Sequence, residues 1–114
     1  MKMIINGKEA DASDGKVIEV TNPATGAVID TVPAATCEDV DRAVVSAKAA
    51  QKEWAKIPVY KRAEIMKKFL VLVEENKEDL AQTLSAETGK PIVEARAEIG
   101  NIFRSGLRIW AYAT

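Results

Sequence analysis

Histidine is absent from all 114 residues. This removes the side chain that titrates nearest neutrality, and with it the imidazole-based acid/base and nucleophilic schemes; Glu, Lys or Tyr would have to substitute. There is one cysteine, Cys37, so no internal disulfide can form, which fits a reducing compartment. Glycine and proline are scarce, at 6 and 4 residues, which excludes fibrous and low-complexity classes. No apolar run approaches the roughly 18 residues of a membrane span. The start, MKMIINGKEA, lacks an apolar stretch followed by a small-residue cleavage site. The expectation is a cytoplasmic protein with no membrane partner. Neither charge sign dominates: 16 Lys and Arg stand against 17 Asp and Glu, with no long block of either, so nucleic acid is not expected as a partner.

What is present is the balance of an ordinary globular chain, 47% apolar and 29% charged, long enough for one core or one piece of a larger core. Residues 1–35 read as short strands and turns. Ile4-Ile5 is followed by the hairpin pair Asn6-Gly7, and Val17 to Val20 and Val28 to Val32 flank the turn Asn22-Pro23-Ala24-Thr25-Gly26. Two or three such strands are marginal alone and need helices or another sheet to cover them.

From residue 36 to 114 the apolar period changes from two to 3.6. Thr36 with Asp39 three residues on predicts an N-cap of capping-box type, and Glu38 adds charge favourable to the helix dipole. Val40, Ala43, Val44, Ala47, Ala50, Trp54 and Ile57 then form one stripe, expected to be buried, and Pro58 stops the helix. A second helix is predicted from Val59 to Asn76; Ile65, Met66, Phe69, Leu70, Leu72 and Val73 cover nearly half its circumference, so it should pack on two sides. A third, Lys77 to Thr88, turns Leu80, Ala81 and Leu84 inward and ends at Gly89, suited to a left-handed C-cap. Pro91 is expected at the first position of a fourth helix that aligns Ile92, Ala95, Ile99, Phe103, Gly106 and Trp110, with the small Gly106 marking a close helix contact. No terminator follows Trp110 to Thr114, so this helix is expected to continue beyond the last residue. The fold class is thus mostly α, about four helices, with a small N-terminal antiparallel β region.

Ile5-Asn6-Gly7, then Val20-Thr21-Asn22-Pro23-Ala24-Thr25-Gly26, then Asp39-Val40-Asp41-Arg42-Ala43-Val44 occur in the order and spacing of the aldehyde dehydrogenase superfamily. Trp54, Arg62, Glu87-Thr88-Gly89-Lys90-Pro91, Glu94-Ala95 and Glu98-Ile99 continue the resemblance over nearly the whole chain. The non-phosphorylating semialdehyde and aldehyde dehydrogenases of bacteria look closest, with succinate semialdehyde as the substrate suggested; the aromatic pair that usually closes the fourth helix is shifted toward Trp110 and Tyr112.

The resemblance implies that residues 1–114 are the N-terminal portion of the cofactor-binding domain of an α/β, Rossmann-like enzyme several times longer. It implies NAD or NADP in that parent, and the remainder of the dehydrogenase chain as partner. The family's catalytic cysteine, glutamate base and cofactor motifs come later in the chain. Accordingly no catalytic, cofactor-binding or metal residue is expected here, and the chain alone is expected to be inactive, with self-association possible through uncovered faces. In some relatives an acidic residue on the fourth helix and a carbonyl before the Asn-Pro turn hold a monovalent cation, positions that fall at Glu98 and Thr21; a plain salt bridge or surface glutamate is the favoured reading.

Other residues have simpler readings than catalysis. Cys37 sits beside Glu38 and Asp39, which oppose thiolate formation, and reads as a small residue in a first helical turn. Lys90 lacks the Gly-rich loop of a phosphate site and reads as a solvated charge. Arg62 reads as an ion-pair partner or surface charge, and Trp54, Phe103 and Trp110 as core aromatics. The alternatives are a free-standing helical module that binds a partner through an apolar groove, and a small independent enzyme, which the missing histidine, metal cluster and phosphate loop disfavour.

Overall fold

In the computed structural model the described residues are 1–113, with the side chains of Phe103 and of residues 107–113 outside the description. The sequence expectations for the side chains of Phe103, Trp110 and Tyr112, and for the helix running on past Thr114, therefore lie outside the described residues. Two compact units are present, Met1–Lys56 and Ile57–Thr114.

The first unit begins with a hairpin of β1 (Met3–Ile5) and β2 (Lys8–Ala10). Asn6 and Gly7 both take positive φ, 54° and 71°, the type I′ requirement whose twist matches that of the strands. A second antiparallel ribbon pairs β3 (Val17–Thr21) with β4 (Val28–Pro33). Its connection is built by Asn22: the side-chain Oδ1 accepts from the Ala24 N–H at 2.9 Å, and the backbone carbonyl accepts from the Gly26 N–H at 2.8 Å. Val17, Ile18, Val28 and Ile29 all remain exposed on this ribbon. The single helix of the unit, α1 (Cys37–Lys56), starts where the sequence places its cap.

The expected burial of the α1 stripe is not observed. Asp39 is its only buried residue, while Val44 is 58% and Trp54 38% exposed. Periodicity shows that a helix has an apolar face. It does not say that a covering layer lies within the same 114 residues.

The second unit is a three-helix assembly, α2 (Val59–Glu75), α3 (Lys77–Thr88) and α4 (Ile92–Ala113), with α4 packed against both others. Val73, Ala81, Ala95 and Ile99 form its core, with Leu84 and Ile92 packed on the edge. Ala81 and Ala95 are fully buried, and such short side chains let α3 and α4 approach closely. The expected close contact at Gly106 is also present: a Cβ added there would lie 2.5 Å from one Leu70 methyl and 2.6 Å from the other.

Three expectations need correction. α2 buries Ala63, Leu70 and Val73 only, so it packs on one side, leaving Ile65, Met66, Phe69 and Leu72 exposed. Leu80 of α3 is exposed, although Ala81 and Leu84 turn inward. Pro91 precedes α4 by one residue, its carbonyl accepting the first helical hydrogen bond from the Ala95 N–H at 3.1 Å. It therefore serves as the half-helical cap rather than the first helical residue, a place where its missing N–H is equally harmless.

Gly89 caps α3 in the left-handed region, φ 70°, with its N–H on the Ser85 carbonyl at 2.9 Å. Gly89→Ala puts a Cβ against this backbone conformation and is expected to cost about 1 kcal/mol. A urea melt followed by circular dichroism reads this as a lower midpoint with unchanged slope; an unchanged midpoint would contradict it.

Candidate functional site

Among the described residues the most heavily hydrogen-bonded side chain is Asp39, only 1% exposed. Its position follows from local chemistry: Thr36 stops short of the helix, its Oγ1 accepts from the Asp39 N–H at 3.3 Å, and the Asp39 carboxylate accepts from the Thr36 N–H at 2.9 Å. The same oxygen, Oδ2, accepts from the Thr36 hydroxyl at 3.0 Å, and from the N–H and hydroxyl of Ser13 at 3.0 and 3.3 Å. Arg42, one turn on, donates to Oδ1. The N–H groups of Ser13 and Thr36 are the main reason the Asp39 carboxyl is held well below the usual carboxylate range, with Arg42 and the Thr36 hydroxyl adding to it. A carboxylate held this far below its ordinary value is a poor proton acceptor near neutrality. It is a clasp that joins the loop after β2 to the head of α1.

Cys37 lies exposed at the first position of the same helix, followed by Glu38 and Asp39. No imidazole exists to take its proton. Lys90 and Glu98 form an ion pair with each other, the plain salt bridge favoured for Glu98 from the sequence, and the Lys90 carbonyl accepts from the Ser85 hydroxyl at 2.6 Å. Thr21 ends β3 in the other unit. Arg62, half-buried, departs from the ion-pair reading made for it. It makes no ion pair among the described residues, and its Nε is buried without a hydrogen-bond partner.

A polar contact that sequence reasoning missed, besides Ser13 with Asp39, is Glu78 with Arg96. The guanidinium donates through Nε and Nη2 to the two carboxylate oxygens at 2.8 and 2.7 Å, tying α3 to α4, and the Gln82 amide donates to the same carboxylate at 2.8 Å. Arg96, then Gln82, lowers Glu78 from 4.5 to about 2. A carboxyl depressed on folding stabilises the fold above its unfolded value, and that contribution is lost as pH falls from 4.5 through about 2. Arg96→Leu is therefore expected to flatten the acid limb of stability between those values; a limb identical to that of the parent chain would show the pair to be idle. No sequence spacing could mark the pair, because 18 residues separate its members.

Among the described residues no group of three or more Asp, Glu, Cys or His side chains is placed to hold a metal ion, and no helix is long and apolar enough to cross a membrane. The polar groups described above clasp one element to another.

Comparison with known proteins gives these clasps a context. Residues 10–113 match the aldehyde dehydrogenase family. Malonate-semialdehyde dehydrogenase 1 of Bacillus thuringiensis (strain Al Hakam) is 42% identical over 99 residues, 87% of this chain and 20% of that protein. The corresponding Bacillus anthracis protein matches to the same degree. Among solved structures, a point mutant of Staphylococcus aureus betaine aldehyde dehydrogenase in complex with NAD+ superposes with a TM-score of 0.93 at 25% identity, over 97% of this chain and 23% of that one. An aldehyde dehydrogenase of Brucella melitensis biovar abortus 2308 gives 0.84 at 39% identity, over 86% and 20%. The chain thus spans about a fifth of the length of the curated relatives it matches. Both the match along residues 10–113 and the superposition of the backbone lead to one assignment: the chain belongs to the aldehyde dehydrogenase family.

Proposed function

We propose that this chain acts as the N-terminal portion of an NAD(P)-dependent aldehyde dehydrogenase, supporting the cofactor-binding domain and carrying no reacting group of its own. The chemistry of such a parent is oxidation of an aldehyde to a carboxylic acid, through a thiolate adduct, hydride transfer to the nicotinamide and release of the acid by water. The observation that carries the structural role is the apolar surface left open on consecutive elements: Val40, Val44 and Trp54 on α1, and Ile65, Met66 and Phe69 on α2. Faces of this kind are covered in a finished core. The remainder of a dehydrogenase chain is the partner proposed to cover them, and a second copy of this chain is the competing occupant when that remainder is missing. The lack of histidine and the exposed, unassisted Cys37 support assigning catalysis to other parts of the parent.

The substrate proposed for the parent is a short semialdehyde of the cytoplasm. The names of the Bacillus relatives favour malonate semialdehyde. Succinate semialdehyde is one methylene longer, a difference that an apolar pocket distinguishes by only about 1–3 kcal/mol. A NAD+-complexed relative supports NAD+ as cofactor, with NADP+ the alternative.

The test is reconstitution. The complementary four-fifths of the Bacillus thuringiensis enzyme is co-expressed with this chain, and reduction of NAD+ or NADP+ is followed with each semialdehyde. Activity is expected from the pair and from neither part alone. Turnover by this chain alone would overturn the structural role. A stable complex without activity would remove the proposed function while keeping the partner, and no complex at all would remove the partner too. Light scattering of the isolated chain across concentration is expected to show association, with a broad thermal melt; a monomer with one sharp transition would instead support the free-standing module.

A further inference from the structure

We draw no further inference here: the strongest candidate, the exposed apolar face of α2 formed by Ile65, Met66, Phe69 and Leu72, has nothing in the structure to show what covers it beyond the partner already proposed.

Discussion

Replacing Gly106 with alanine is expected to destabilise the second unit, although alanine is the better helix former. The propensity gain is about 1 kcal/mol in favour of the variant. Against it stands the Leu70 side chain, 4% exposed, whose two methyls would lie 2.5 and 2.6 Å from the new Cβ and whose Cγ would lie at 3.0 Å. Rotating one methyl away does not relieve the clash, because three atoms of the side chain are involved. Overpacking of this kind costs about 1–3 kcal/mol and should win. Gly106→Leu is expected to cost more and to separate α2 from α4. The control is Leu70→Ala, which alone opens a cavity worth about 2–5 kcal/mol but vacates the space that a Cβ at position 106 needs. In the double variant the two losses should be less than additive, by at least 0.5 kcal/mol on the usual scale of coupling between touching residues. Urea melts of the four proteins measure this directly. A Gly106→Ala chain more stable than its parent, or strict additivity, would mean that the helices do not meet at that glycine.

Asp39→Ala is expected to be the most damaging single change in the first unit. It strips the acceptor from the N–H groups of Ser13 and Thr36 at once and leaves Arg42 without its partner. A fall in Tm on the order of 10 °C is expected, since roughly 4–8 °C accompanies each kcal/mol in a domain of 60–100 residues. Asp39→Asn separates the contributions. Its amide oxygen still accepts from the two N–H groups, but its NH2 group turns a donor toward the Arg42 guanidinium, so an intermediate loss is expected. Acid should mimic the substitution: the Asp39 carboxyl is depressed from 3.8, so its contribution is intact above that value and is lost as the pH falls below it. Equal Tm values for parent and Asp39→Ala would show that the clasp adds nothing. In reconstituted enzyme the same variant should weaken assembly without creating any pH dependence near neutrality, because this carboxyl has no titration there.

These two sites differ in how far the sequence reveals them. The Thr36 and Asp39 cap is complete within four residues, so its reciprocal hydrogen bonds follow from residue type and spacing. The same is true of Asn6-Gly7, where both residues must take positive φ, and of Gly89 at the end of α3. Pro58 before α2 is equally local: a residue with no N–H, and a ring that clashes one turn back, cannot extend α1. By contrast, Ser13 reaches Asp39 across 26 residues, and Arg96 reaches Glu78 across 18. Nothing in either pair's spacing distinguishes it from other acid and donor combinations in a chain that is 29% charged. Gly106 lies between the two cases. Its smallness on an apolar stripe signals a close contact, but only the packing of α4 on α2 names Leu70 as the neighbour.

Burial shows where this limit matters for function. The apolar faces of α1 and α2 were legible from their period, yet the expectation that both would be covered fails at Val44, 58% exposed, and Phe69, 51% exposed. A hydrophobic period reports a demand for a neighbouring layer, not where in a protein that layer is encoded. The sequence by itself determined the elements, their caps and turns, and the family resemblance, because each is written in residues a few positions apart or in motifs in order. Only the tertiary structure decided which helices meet, which carboxylates are clasped and which apolar faces stay open, because those depend on groups brought together by the path of the chain.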